Sequence, residues 1–156
     1  MAVKKKVVKN PKVPRTRNNQ TLTESAFWGM IRSCLRQKSR WWQPIKQCKE
    51  NARRLYTGAN KLQKWEFQCS NCKDWFMEKF IACDHKIEAG TLTCKGDVGD
   101  FIERLFVETE GLQILCDKRP DGKDSCHKKK TDEYMKIVKA SKDSKNKLKT
   151  EINLHS

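Results

Sequence analysis

No stretch of this 156-residue chain is apolar for the roughly 20 residues that crossing a bilayer requires. The first dozen residues carry Lys4, Lys5, Lys6 and Lys9 but no apolar run that suits a secretory h-region. The expectation is a protein that stays in a reducing cytoplasm. Apolar material is scarce throughout, with 37% hydrophobic against 34% charged residues. That balance excludes two large domains and leaves one small core, of the kind that usually needs a covalent or metal staple. Acids are also scarce. Residues 1–20 hold seven Lys or Arg and no acid, and residues 32–64 hold ten against the single Glu50. With a formal charge of +15, the expected partner is a polyanion, nucleic acid first, because each phosphate contact releases condensed counterions. No internal repeat is present.

The chain reads as four segments. Residues 1–20, with Pro11 and Pro14 among the lysines, read as a disordered basic arm. Residues 21–63 read as a helical extension. Thr21 to Glu24 offers a capping box ahead of Phe27, Met30, Ile31, Cys34 and Leu35 at helical spacing. Pro44 opens a second helix with Ile45, Cys48, Ala52, Leu55 and Tyr56 on one face, ended by Gly58. Its basic residues include Arg36, Arg40, Arg53 and Arg54. The adjacent Trp41 and Trp42 suit either a cap on this helical pair or stacking on bases; the first is the commoner use of large aromatics in small cores.

From Trp65 the pattern turns to short strands and turns: a segment at 65–69, a strand-like run at 79–84, a glycine-bearing loop, a short helix from Asp97 or Val98 to Phe106, and a β segment at 112–116. A final helix opens at Ser125 or Cys126 and runs toward Ile137. Residues 64–138 thus form the core and 139–156 a basic tail, giving an α+β chain.

Eight cysteines are present, and in a reducing compartment short spacings read as metal ligands before disulfides. Cys69 and Cys72 form a CxxC knuckle, while Cys116 and Cys126 make a second, wider pair around a turn at Pro120, Asp121 and Gly122. Four thiolates suit a structural, tetrahedral Zn2+ with bonds of about 2.3 Å. Cys34, Cys48, Cys83 and Cys94 lack such spacing and default to core or surface thiols. Between the two pairs lies Asp84-His85, at a predicted strand end, and directly after the last zinc cysteine comes His127. An adjacent acid and imidazole is, taken alone, more often an ordinary surface or core dipeptide. Closing the loop between Cys72 and Cys126 on one zinc makes His127 a neighbour of that strand. A carboxylate and an imidazole then suffice to hold Mg2+ or Mn2+ against a phosphate, with a second imidazole to take a proton from water.

In that order, the CxxC at Cys69 and Cys72, the pair Asp84-His85, the run from Glu110 to Cys116 and the run from Cys126 to Thr131 resemble the HNH endonuclease motif, particularly its phage-encoded branch. The flanks at 60–67 and 101–106 are similar too, and the likeness covers residues 31–131. The resemblance implies a ββα-metal (His-Me finger) core with a zinc knuckle, in which His85 is the general base, Asp84 and His127 hold the catalytic divalent ion, and Cys69, Cys72, Cys116 and Cys126 hold structural zinc. Lys130 matches the lysine of the CHxxK pattern and, with Lys128, Arg36, Arg40, Arg53 and Arg54, is expected to meet DNA phosphates. It implies cleavage or nicking of DNA in a host cytoplasm, with a link to phage DNA packaging. The residues themselves do not separate DNA from RNA. Two departures stand out: Gly111 replaces the middle Asn, and the Cys116 to Cys126 spacing exceeds the usual two residues. The competing reading is a non-catalytic zinc module that binds nucleic acid or a packaging partner.

Overall fold

The computed structural model describes residues 13–154. Residues 1–12 of the expected arm and 155–156 of the expected tail lie outside the described residues, as do the side chains at 142 and 145–154. The fold is α+β with small antiparallel sheets, and it divides into two units.

The first unit comprises residues 13–41 together with Ala89–Leu105. Strand β1 (Arg15–Arg17), inside the expected basic arm, pairs antiparallel with β2 (Leu22–Thr23) across a turn in which Asn18, Asn19 and Gln20 all have positive φ. Helix α1 (Glu24–Ser39) follows, and its cap is Thr23, whose Oγ1 accepts from Ala26 N at 3.1 Å. Thr21, which sequence favours as the cap, instead hydrogen-bonds Asn18 in the turn. The Glu24 carboxylate accepts from Arg17 Nε at 2.6 Å and from Trp28 Nε1 at 2.9 Å, tying β1 to α1. Helix α3 (Val98–Leu105) buries Phe101 and Leu105. Arg36 of α1 lies over the Phe101 ring at 5.7 Å and donates to Gly90 O at 3.2 Å. Trp41 is 87% exposed, so it caps no core; it is a free aromatic at the end of this unit.

The second unit comprises Trp42–Glu88 and residues 106–154. Helix α2 (Gln43–Asn51) starts with Pro44 in its first turn. It stops before the expected Tyr56, because Arg53–Leu55 form β3 and pair with β4 (Trp65–Gln68), which pairs in turn with β5 (Trp75–Phe76). Arg53 stacks on Trp65 at 4.4 Å and Arg54 on Trp75 at 3.8 Å, cross-strand contacts a helix would not offer them. Trp42 donates from Nε1 to Val107 O at 2.8 Å and meets Phe106 edge-on.

Strands β6 (Ile81–His85) and β7 (Leu112–Cys116) pair antiparallel, with Asp84 opposite Gln113 and His85 opposite Leu112. Strand β7 is buried on both faces. Leu112 and Ile114 pack with Cys48 and Phe67, while Leu115 and Cys116 pack with Cys69, Phe76 and Cys126. Helix α4 (Cys126–Leu154) begins where the sequence places it, and continues through the segment read as a tail.

Candidate metal centre and the polar site beside it

The sulfurs of Cys69, Cys72, Cys116 and Cys126 all lie within 4.8 Å of one another, and this is the one cluster of three or more His, Cys, Asp or Glu ligand atoms among the described residues. Tetrahedral zinc with bonds of about 2.3 Å needs sulfurs roughly 3.8 Å apart, so the four fit such an ion with little adjustment. Local structure explains the convergence. The knuckle turns through Lys73 at φ 62, Cys69 N donates to Asp74 O at 3.0 Å, and Ser70 N donates to Ile114 O at 2.7 Å, fixing the knuckle to β7. Cys116 ends β7 and Cys126 opens α4.

Donors converge on the sulfurs, as thiolates require. Cys116 N points at Cys69 Sγ at 3.4 Å, Cys126 N at Cys116 Sγ at 3.2 Å, and Arg119 Nη1 at Cys72 Sγ at 3.4 Å. Burial opposes ionisation of Cys69, yet the backbone donors of Cys72, Cys116 and Asn71 outweigh it and pull its pKa down to about 7. Burial, reinforced by the neighbouring Cys69, pushes Cys72 up to about 12. Of these two thiols, Cys69 is thus the readier to ionise.

Arg119 carries no signal in the sequence pattern. It lies in the turn between Cys116 and Cys126, where Gly122 has φ 72, and its guanidinium also binds Asp74 and Asp121, each at 3.0 Å. The wide second pair therefore accommodates a turn that reaches back to the knuckle.

At the other end of the sheet from Cys116, which pairs with Ile81, β6 ends in Asp84 and His85. The Asp84 carboxylate, 13% exposed, accepts from Lys130 Nζ at 2.6 Å, and Lys130 also bonds the His85 carbonyl and Glu88 Oε1, the latter at 3.0 Å. Burial works against the ammonium, but its bonds to Asp84 and Glu88 raise the Lys130 pKa overall. The lysine expected to meet phosphate is thus engaged with the carboxylate expected to hold metal. His127, one turn before Lys130 on α4, bonds Asp117 Oδ1 through Nδ1 at 2.7 Å. An N–H there leaves Nε2 as the ring's acceptor. The structure gives Asp84 and His127 separate partners, with no hydrogen bond between them.

At Gly111, a Cβ would lie 2.8 Å from Val107 Cβ, so no side chain fits without displacement. The backbone of Gly111 serves instead. Its N–H donates to Glu108 O at 2.9 Å, and its carbonyl accepts from Lys86 N, directly after His85, at 2.8 Å.

The other basic candidates belong to both units. Lys128 pairs with Asp124 at 2.7 Å, Arg54 with Glu66 at 2.6 Å, and Arg40 is exposed at the end of α1. Of the remaining cysteines, Cys34 and Cys94 are exposed. The Cys48 and Cys83 thiols hydrogen-bond each other, which lowers the pKa of Cys48 and raises that of Cys83. Among the described residues, no helix is long and apolar enough to cross a membrane. Comparison with known proteins returns nothing: no family model, curated protein or solved structure matches this chain.

Proposed function

We propose that this chain is a zinc-stapled endonuclease of the HNH, ββα-metal type that hydrolyses phosphodiester bonds in DNA. The observation that carries the reading is the contact between Lys130 and Asp84 at 2.6 Å. Sulfurs at Cys116 and Cys126 bring the start of α4 to the end of β7, and the Lys130 side chain, at the start of the helix's second turn, reaches the Asp84-His85 end of β6. His127 and Lys130 are three residues apart, and helical residues at that spacing share a face.

The donors near Asp84 are hard oxygens, namely two carboxylates and a carbonyl, the chemistry that suits Mg2+ or Mn2+. Held by Asp84 and His127, such an ion would polarise the scissile phosphate and stabilise the leaving oxygen. In this reading His85 takes the proton from the attacking water, and Asp117 keeps the His127 ring in one tautomer. A cleft of about 310 Å3 lined by Ser70, Asn71, Gln113, Lys129, Lys130 and Glu133 shares Lys130 with this site and is the proposed path of the phosphate backbone. In the same reading Arg36, Arg40, Arg53 and Arg54 add non-specific grip.

A plasmid-nicking assay of wild type beside His85→Ala, with zinc content measured on both, tests this reading. The variant is expected to keep zinc and DNA binding and to lose EDTA-sensitive nicking. Nicking that persists in His85→Ala removes His85 as the base. A zinc module that binds nucleic acid without cutting it is the second reading, favoured by Gly111, where the motif's middle Asn is absent and no side chain fits without displacing Val107. It predicts no turnover in wild type across a wide Mg2+ and Mn2+ titration.

A further inference from the structure

We propose that Lys130 is a built-in competitor of the divalent ion at Asp84, holding the carboxylate while no ion is bound and turning toward substrate phosphate once one is. This rests on the metal-binding reading of Asp84 given above.

The ammonium has three oxygen partners: Asp84 Oδ2, Glu88 Oε1 and the His85 carbonyl. Its side chain is 24% exposed, so the pair is largely withdrawn from water, where ion pairing is screened least. An ammonium and a divalent cation cannot both sit within bonding distance of one Asp84 oxygen pair without strong repulsion. The lysine stem is flexible, with a compact point charge at its tip, so it can leave while its backbone stays on α4. Lys129 and Glu133 line the same cleft as Lys130, and a freed second ammonium there makes, with Lys129, a pair of cations suited to a phosphate.

Competition has a quantitative signature. If Lys130 covers Asp84 nine-tenths of the time, the apparent ion affinity is reduced about tenfold, and removing the ammonium restores it. The zinc-loaded full chain is titrated with Mn2+ in the absence of DNA, and free Mn2+ is read by electron paramagnetic resonance. Lys130→Met is expected to bind Mn2+ about tenfold tighter than wild type, and Asp84→Asn to lose the site. On wild-type protein, labelling of Lys130 by an amine-reactive reagent, read by mass spectrometry, is expected to rise several-fold when Mn2+ is added. Asp84→Asn should label at the raised level without the ion. That measurement does not depend on Lys130→Met folding.

Equal or weaker Mn2+ binding by folded Lys130→Met, with Asp84→Asn still abolishing the site, overturns the competition and leaves Asp84 as a ligand. Labelling of wild-type Lys130 that Mn2+ saturation does not change overturns it too. If wild type and Lys130→Met both bind no more Mn2+ than Asp84→Asn does, the metal reading of Asp84 itself fails, and the competition with it.

Discussion

Gly111 and Val107 occupy one space: a Cβ built on the glycine would sit 2.8 Å from Val107 Cβ and 2.9 Å from its Cγ2. An asparagine at this position, where the proposed HNH reading expects one, must therefore displace Val107 or shift the 3-10 turn at Thr109–Gly111. Overpacking of this kind costs about 1–3 kcal/mol. Gly111→Asn is expected to lower stability by that amount in denaturant unfolding, and a double-mutant cycle with Val107→Gly should show a favourable coupling. Additive effects would mean that the backbone absorbs the clash.

Arg119 should act on the metal centre without being a ligand. Its Nη1 points at Cys72 Sγ at 3.4 Å while Nη2 holds Asp74 and Asp121, so the guanidinium both offsets thiolate charge and anchors the turn between the last two cysteines. Loss of such an outer partner typically weakens metal binding 10–100-fold. Arg119→Met is expected to show a drop in that range in chelator-competition assays of zinc affinity. Arg119→Lys should recover part of it, since one ammonium cannot reproduce the forked contacts. Unchanged affinity in Arg119→Met would reduce the residue to a surface ion pair.

The four-cysteine cluster was legible because spacing marks each pair and a soft cation calls for four thiolates, and the starts of α3 and α4 followed from helical periodicity. The partners of those elements were not. Arg119 meets Asp74 across 45 positions and Lys130 meets Asp84 across 46, separations at which a sequence carries no period to read. Strand β3 was hidden for another reason. Its three residues are all exposed, so the run Arg53–Leu55 lacks the alternation that marks a half-buried strand, and it continues the helical spacing of α2. Thr21 and Thr23 offer near-equivalent caps, and the pairing of Arg17 with Leu22 across the turn decided between them.

That same turn gives a pH dependence. Glu24 accepts hydrogen bonds from Arg17 and Trp28, which hold its carboxyl down at about 2 against an ordinary value of 4.5. A carboxyl depressed in the folded state contributes stability above its unfolded pKa and loses that contribution as pH falls through the folded one. The tie between β1 and α1 should therefore be intact at neutral pH, weaken below about 4.5 and be gone near 2. A carbon-detected NMR titration of the Glu24 carboxyl is expected to show a midpoint well under 4. Both groups are exposed, so high salt should move the midpoint back toward 4.5. A midpoint at the ordinary value in low salt would mean that the arm is not tethered through Glu24.

The last prediction concerns His127, whose Nδ1 is bonded to Asp117 Oδ1 at 2.7 Å. A carboxylate at one ring nitrogen fixes the tautomer and strengthens the other nitrogen as a ligand. Asp117 immediately follows Cys116 of the four-sulfur cluster, and its backbone N–H is held by Phe80 O at 2.8 Å, so its position is set from both sides. If His127 binds the divalent ion through Nε2, Asp117→Asn should weaken Mn2+ binding 10–100-fold while zinc content and unfolding midpoint stay at wild-type values. The Mn2+ requirement for nicking should rise in the same ratio, with the rate at saturating Mn2+ nearly unchanged, because Asp117 meets the ion only through His127. A variant that loses zinc together with Mn2+ would make Asp117 a structural residue of the turn. One that changes neither would remove His127 from the ion's ligands and leave Asp84 without its second partner.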